Sequence, residues 1–256
     1  MDDRPDLGRL EAVAREVAAE WGIELGPRFL LARYSFVAPV GVDAVLKVTP
    51  VEDDEADEEG DALELWGGDG AVRVLRRDRV RRALLLERAR PGTDLSELPE
   101  EEATAIAVEA GVRLWRPADE PFRWIGDHVP RWLDNAQRRG EEGSELVPLA
   151  RRLYEALDVG RSLLVHGDFH HHNLLDAGER YVAIDPKAML GEPEFDIASF
   201  LWNPLQYRMQ REVTERRLAA FAAAGLDEGR MRAWAVIRGS YLGADPDEAE
   251  ILRRLV

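Results

Sequence analysis

The chain of 256 residues contains no cysteine and no long apolar run. The lack of cysteine excludes disulfides, thiolate catalysis and cysteine-ligated zinc. No stretch of 18 apolar residues occurs, as a bilayer-spanning helix would need. The first residues, MDDRPDLGRL, also lack the cationic start and apolar run of a secretory signal. We therefore expect a cytoplasmic protein with no membrane partner.

Positive charge is scarce relative to negative charge. The chain has 34 basic and 50 acidic residues, a formal net charge of −16. From residue 91 onward, 30 acidic residues stand against 20 basic ones. Such a charge argues against a nucleic-acid partner, because phosphate backbones are bound by basic patches. It is compatible with a cationic ligand, although solubility alone also explains it.

Lysine is nearly absent. Only Lys47 and Lys187 are lysines, and every other basic residue is arginine. An ammonium is a compact point charge, whereas a guanidinium is a wide planar fork, so these two lysines are candidates for positions that arginine cannot fill. Chance survival of two lysines is the alternative.

Hydrophobic periodicity predicts an α+β fold with two lobes. An amphipathic helix at the N-terminus precedes strands over 28–40 and 43–50, an acidic helix ending at Gly67, and two further strands over 71–78 and 81–89. From about residue 97 the pattern becomes helical. We predict a small antiparallel-sheet lobe with one packed helix over residues 1–90, and a larger, mainly helical lobe over residues 91–256.

The stretch LLVHGDFHHHNLL contains four of the five histidines. It predicts either a metal site or a loop that works with its one aspartate, Asp168. Consecutive loop residues point in different directions, and no HExxH motif is present, so the histidines are poor zinc ligands. We expect His166 to orient the loop by hydrogen bonds and His170, His171 and His172 to line an acceptor site.

Five polar residues form the pattern that phosphoryl transfer from Mg-ATP requires. Lys47 lies in the predicted strand AVLKV, where a buried ammonium needs an anionic partner, and Glu59 on the next helix can supply it. Asp168 and Asn173 follow a strand with the spacing D-x-x-x-x-N, and Asp185 ends another strand. Carboxylate and amide oxygens suit magnesium, which prefers hard ligands.

The pattern of these residues resembles that of proteins with the protein-kinase-like fold and, among them, that of the aminoglycoside phosphotransferases. The motifs HGDFHHHN and IDPK are most similar to the streptomycin 6-phosphotransferase branch, grouped with aminoglycoside and hydroxyurea resistance kinases. The resemblance extends from about residue 29 to the helices near residue 240. It implies an ATP-binding N-terminal lobe over residues 1–90 and a catalytic and substrate-binding lobe over residues 91–256.

The resemblance also implies a role for each residue of the pattern. Asp168 is expected to be the catalytic base, and Asn173 and Asp185 to be magnesium ligands. Lys47 is expected to bind the ATP phosphates with Glu59 as its partner, although Glu55 and Glu58 lie close by. The remaining implied sites are the adenine-binding hinge, formed by the backbone of Glu87, Arg88 and Ala89, and the support of the catalytic loop by His166 and Asp196.

Two departures from protein kinases indicate a small-molecule substrate. Gly167 replaces the arginine of HRD, and only ten residues separate Asp185 from Asp196, which leaves no room for a long activation loop. We expect ATP and Mg²⁺ as cofactors and a small cationic acceptor with a hydroxyl group, with an aminoglycoside such as streptomycin as the first expectation. The alternatives are hydroxyurea or another small metabolite as acceptor, and a non-catalytic nucleotide-binding protein.

Overall fold

In the computed structural model, which describes residues 5–140 and 142–256 apart from the side chain of Glu55, the chain divides into two units. The first contains the residues up to Thr93 together with Leu175–Pro186. The second contains Asp94–Leu174 and Lys187–Val256. The segment 175–186, which the sequence analysis assigned to the second lobe, therefore packs with the first unit.

The first unit is built on a four-stranded antiparallel sheet in the order β1-β2-β4-β3. Val37 lies opposite Lys47, and Lys47 lies opposite Leu84, so the lysine is in a central strand. The predicted order of helix, two strands, helix and two strands is confirmed. Its elements are α1 (Leu7–Trp21), β1 (Phe36–Val40), β2 (Ala44–Val48), α2 (Glu59–Trp66), β3 (Val74–Asp78) and β4 (Ala83–Glu87).

Helix α1 covers the sheet with its apolar face. The Asp6 carboxylate caps its first turn, and Gly22 in a left-handed conformation ends it. The buried side chains of Leu10, Ala14 and Val17 pack against those of Phe36, Ala38, Leu46, Val48 and Ala83. Burial of a side chain of leucine or valine size contributes about 1.5–3 kcal/mol, so this packing stabilises the strand that carries Lys47.

The first strand is shorter than the sequence predicted. We expected a strand over residues 28–40, but β1 begins at Phe36, and the prediction is wrong for residues 28–35. Leu30 and Leu31 are 80% and 90% exposed, so neither contributes to the core that a strand would need there.

The last elements of the first unit come from far along the chain. Strands β7 (Leu174–Asp176) and β8 (Tyr181–Ala183) form a hairpin. The N–H of Ala183 donates to the carbonyl of Gly70 at 2.8 Å, and the N–H of Val72 donates to the carbonyl of Ala183 at 3.0 Å. These bonds explain why residues 175–186 belong to this unit, and they fix the position of Asp185.

The second unit is mainly helical. A three-stranded sheet in the order β5-β6-β9 lies among its helices, with β6 at its centre. Among the described residues, no helix is both long and apolar enough to cross a membrane. The elements are α3 (Glu100–Leu114), β5 (Arg116–Pro117), α4 (Val129–Arg139), α5 (Val147–Leu157), β6 (Leu163–Val165), β9 (Met189–Gly191), α6 (Pro193–Leu201), α7 (Arg211–Ala223), α8 (Glu228–Leu242) and α9 (Pro246–Arg253).

The core of the second unit supports the histidine-rich segment. Val165 at the end of β6 packs in one apolar cluster with Phe195 of α6 and with Trp234 and Ile237 of α8. All four side chains are fully buried. The residues that follow, beginning with His166, therefore start from a rigid support.

Candidate active site

Lys47 forms two short ion pairs within the first unit. Its Nζ lies 2.6 Å from Glu59 Oε1 and 2.5 Å from Asp185 Oδ1. Lys47 and Glu59 are almost fully buried, whereas 47% of the Asp185 side chain is exposed. The buried ammonium therefore joins a buried carboxylate to one that faces solvent.

The charge of Lys47 is secured by its two partners. Burial alone lowers the pKa of an ammonium, but the negative charges of Asp185 and Glu59 outweigh it and raise the pKa of Lys47 above its usual value. Lys47 is accordingly a permanent cation at neutral pH.

Glu59 reaches Lys47 because it is the first residue of α2. It lies on the same helical face as Leu63 and Trp66, and all three side chains are buried. The side chain of Glu55, one of the alternatives considered from the sequence, lies outside the described residues. Glu58 is also buried, but the carboxylate within ion-pair distance of Lys47 on this helix is that of Glu59.

Asp185 has an unusual backbone conformation. Its φ angle is 55°, in the left-handed region that a residue with a Cβ rarely adopts. Such a conformation costs on the order of 1–2 kcal/mol and persists only where the surroundings enforce it. The hydrogen bonds of Ala183 and the ion pair with Lys47 supply that constraint.

The predicted hinge follows β4. The N–H of Glu87 donates to the carbonyl of Arg73 at 2.9 Å, and the N–H of Arg88 donates to the carbonyl of Asp43 at 2.8 Å. The Glu87 carboxylate pairs with Arg180 at 3.0 Å. Two of the three hinge N–H groups are thus engaged within the chain, which leaves that of Ala89 as the candidate donor to a ligand.

In the second unit, Asp196 holds the start of the histidine-rich loop. Its Oδ2 accepts the N–H of His166 and its Oδ1 accepts the N–H of Gly167, both at 2.8 Å. The indole N–H of Trp115 donates to Oδ2 at 2.9 Å. Asp196 is fully buried, which raises its pKa, and the three donors oppose that rise.

Only glycine fits at position 167. Its φ angle is 81°, and a Cβ there would overlap the carbonyl oxygen of Lys187. The N–H of Lys187 donates to the carbonyl of His166 at 2.8 Å. The backbone of Lys187, the second of the two lysines, therefore lies directly against the loop.

Asp168 is oriented by two neighbours in its own loop. The amide Nδ2 of Asn173 lies 3.2 Å from Asp168 Oδ2 and 2.9 Å from the carbonyl of Asp168. The Nε2 of His170 lies 3.3 Å from Asp168 Oδ2. Because the Nδ1 of His170 accepts the N–H of His172, its proton lies on Nε2, and Asp168 receives it as a hydrogen bond.

The carboxyl group of Asp168 is ionised at neutral pH. Burial raises its pKa, but the hydrogen bond from His170 and the positive charge of Arg238 outweigh burial and lower the pKa below its usual range. About a third of the side chain is exposed, so it can contact a ligand.

The four clustered histidines do not converge on one point. His166 accepts the N–H of Asp168, His170 contacts Asp168, and His172 pairs with Asp94 at 2.9 Å. His171 is buried and stacks on Phe200 at 4.1 Å. Within the described parts of the chain, no group of three or more potential ligands could hold a metal ion.

Sequence reasoning missed three residues of the loop support. Trp115, which donates to Asp196, lies 81 positions away from it. Arg238 of α8 donates to the carbonyl of Gly167 at 3.2 Å. His170 was assigned to the acceptor site, and its position two residues after Asp168 was the signal that could have paired them.

Asp185 and Asn173, the two predicted magnesium ligands, offer oxygen atoms of the kind that magnesium prefers. Asp185, in the first unit, has a partly exposed carboxylate, and Asn173, in the second unit, has an amide. Neither is accompanied by a soft thiolate ligand, since the chain has no cysteine.

Comparisons with known proteins identify the family. A profile of the aminoglycoside/hydroxyurea antibiotic resistance kinases matches residues 27–249. The chain is 33% identical to a streptomycin 3''-kinase of Klebsiella pneumoniae, over 72% of this chain and 71% of the relative. It is 35% identical to a hydroxyurea phosphotransferase of Kitasatospora aureofaciens (87% and 69%) and 30% identical to a streptomycin 6-kinase of Streptomyces griseus (93% and 83%).

Solved structures show the same fold. A choline/ethanolamine kinase family protein from Mesorhizobium loti has a TM-score of 0.64 at 15% identity, over 98% of this chain and 84% of that one. A thermostable aminoglycoside phosphotransferase in a ternary complex with ADP and hygromycin B has a TM-score of 0.57 at 19% identity, over 95% and 96%. The chain thus has the protein-kinase-like fold and belongs to the aminoglycoside/hydroxyurea antibiotic resistance kinases, a family of phosphotransferases that act on hydroxyl groups.

Proposed function

We propose that the protein transfers the γ-phosphoryl group of ATP to a hydroxyl group of a small cationic aminoglycoside, with streptomycin as the preferred acceptor. The observation that carries the proposal is the loop of Asp168, an ionised carboxylate held in a fixed direction by Asn173 and His170. The family membership supports the reaction class.

The first unit supplies the residues for the phosphate donor. Lys47, held by Glu59, is a permanent cation for the ATP phosphates. Asp185 is a proposed ligand of Mg²⁺, as is Asn173 of the second unit; the ion, when bound, would neutralise phosphate charge. Ala89 would donate its backbone N–H to adenine, because Glu87 and Arg88 already use theirs.

The second unit supplies the residue for the acceptor. The acceptor hydroxyl donates its hydrogen bond to Asp168, which orients the oxygen and takes its proton. The oxygen forms a bond to the γ-phosphorus as the bond between that phosphorus and ADP breaks. There is little covalent work for the chain in such a transfer, so the rigid hydrogen bonds around Asp168 contribute through position.

The charge of the second unit favours a cationic acceptor over a neutral one. The second unit has 27 acidic and 19 basic residues, and this excess raises the local concentration of cations. Streptomycin carries guanidinium groups and fits this field, whereas hydroxyurea is neutral. The relatives include a 3''-kinase, a 6-kinase and a hydroxyurea phosphotransferase, so hydroxyurea is the second candidate and the acceptor hydroxyl is a separate question.

The test is magnesium-dependent ADP release by the native chain and by Asp168→Asn, measured with streptomycin, with hydroxyurea and with no acceptor. Release that streptomycin stimulates and the substitution reduces at least about 100-fold would support the proposal. Stimulation by hydroxyurea alone would replace the acceptor and keep the reaction. If ATP binds but neither compound stimulates release, the proposed acceptors are wrong.

A further inference from the structure

Arg238 is a buried cation with no carboxylate partner. It lies in α8 and is only 8% exposed. Its guanidinium carbon lies 4.3 Å from the centre of the Phe195 ring, and one terminal nitrogen donates to the carbonyl of Gly167 at 3.2 Å. Its Nε has no hydrogen-bond partner, and no carboxylate of the described chain lies within ion-pair distance.

Other buried or partly buried arginines of the second unit form ion pairs with carboxylates. Arg217 pairs with Glu100 at 3.0 Å, and Arg208 pairs with Glu248 at 2.6 Å. Arg232 in the same helix as Arg238 pairs with Glu215 and Glu228. A buried charge without a direct ion pair is costly, and Arg238 differs from these three arginines in making none.

The surroundings of Arg238 indicate an anion. The loop to which it donates carries Asp168 one residue later, and its charge acts on that carboxylate. In the proposed transfer, the phosphoryl group lies beside the hydroxyl that Asp168 orients. The oxygens of the phosphoryl group would therefore lie near the guanidinium of Arg238, which makes no direct ion pair and whose planar fork suits phosphate.

We propose that Arg238 binds the oxygens of the transferred phosphoryl group and is a further catalytic residue of this enzyme. The inference rests on the proposed function. Arg238 supplies a cation from the acceptor side, within a water-poor position where it acts strongly on charge that develops during transfer. This role also explains why Arg238 has no carboxylate within ion-pair distance, although the chain has 50 acidic residues.

The experiment combines stability with kinetics in Arg238→Met, Arg238→Lys and the control Arg232→Gln. We expect Arg238→Met to have a Tm equal to or above that of the native chain, because it removes an unpaired buried charge. We expect its kcat to fall about 100-fold or more, with the KM for ATP nearly unchanged and partial recovery in Arg238→Lys. Arg232→Gln should keep the native kcat.

Inorganic phosphate provides a readout that needs no acceptor. We expect phosphate to raise the Tm of the native chain and of Arg232→Gln in a saturable way, and to raise that of Arg238→Met much less. Equal stabilisation of Arg238→Met would overturn the inference, as would a large loss of Tm in that variant. An increase in the acceptor KM at unchanged kcat would also overturn it, because the anion would then belong to the acceptor.

The phosphate measurement separates this inference from the proposed function. A native chain that shows no turnover with any acceptor, yet binds phosphate through Arg238, would contradict the proposed acceptors and retain the anion site. Turnover that is lost in Asp168→Asn but retained in Arg238→Met would contradict the anion site and retain the proposed function.

Discussion

The ammonium of Lys47 lies 2.5 Å from the carboxylate of Asp185, although 138 residues separate them in the chain. Asp185 lies two residues after a hairpin that is bonded to residues 70–72, and Lys47 belongs to the central strand β2. The pair therefore depends on the tertiary fold of the first unit. It also brings the predicted phosphate-binding cation next to a predicted magnesium ligand.

Replacing Lys47 should lower both stability and activity, and a second substitution should separate the two effects. Lys47→Met removes the buried charge that lies 2.6 Å from Glu59, which we expect to cost about 3–5 kcal/mol in the free energy of unfolding. The double variant Lys47→Met/Glu59→Leu should recover most of that stability while kcat stays at least about 100-fold below native. Urea unfolding and steady-state kinetics measure both. Recovery of activity together with stability would show that Lys47 has only a structural role.

Gly167→Ala should be among the most destabilising single substitutions. The added Cβ overlaps the carbonyl of Lys187, and the left-handed φ angle is unfavourable for alanine, so we expect a loss of at least about 3 kcal/mol. Gly160→Ala is the matched control, because a Cβ there meets nothing within 4 Å. It should leave the Tm unchanged or slightly higher. Equal Tm values for the two variants would contradict the close approach of residues 167 and 187.

The buried pair of Glu100 and Arg217 should make part of the stability depend on pH. Burial raises the pKa of Glu100, but hydrogen bonds from Arg217 and Thr104 outweigh it and lower the pKa below 4.5. Since the folded pKa lies below the unfolded one, this stability is present above about pH 4.5 and is lost as the pH falls through the folded value. Glu100→Gln should cost about 3 kcal/mol at pH 7 and progressively less below pH 4.

A control on the same helix distinguishes burial from charge alone. Glu109 pairs with Arg113, but both side chains are about half exposed or more. Glu109→Gln should therefore change the free energy of unfolding by less than about 0.5 kcal/mol at either pH. A cost for Glu100→Gln that does not shrink in acid would refute the role of its ionised carboxylate.

The first unit was largely predictable because its signals are local. Apolar spacing placed α1 and α2, and the helical face shared by Glu59, Leu63 and Trp66 indicated the partner of Lys47. The prediction of a strand over residues 28–35 was wrong because Leu30 and Leu31 both face solvent, and composition does not reveal such exposure. Helices α4 and α9 were not predicted individually, and few of their residues are buried.

The residues that support the candidate site were harder to predict than the residues in it. The spacing from Asp168 to Asn173 is visible in the sequence. Trp115, in contrast, donates to Asp196 from 81 residues away, and Arg238 donates to Gly167 from 71 residues away. A long-range hydrogen bond leaves no periodic trace. Only the fold shows that an arginine in α8 lies beside a glycine in the histidine-rich loop.

His170 should act by positioning Asp168. Its Nε2 lies 3.3 Å from Asp168 Oδ2, and its Nδ1 is held by the N–H of His172 at 3.2 Å. We expect His170→Leu to lower kcat about 10- to 100-fold with little change in either KM, because a misdirected carboxylate weakens the transition state rather than binding. His170→Gln, whose amide can still donate, should recover part of the loss. Steady-state kinetics of both variants between pH 6 and 9 provide the measurement.

The control for His170 is its neighbour His172, which is half exposed and pairs with Asp94. His172→Leu keeps the backbone N–H that holds His170, so its kcat should stay within about threefold of native. A Gln variant no better than Leu would refute positioning as the role of His170.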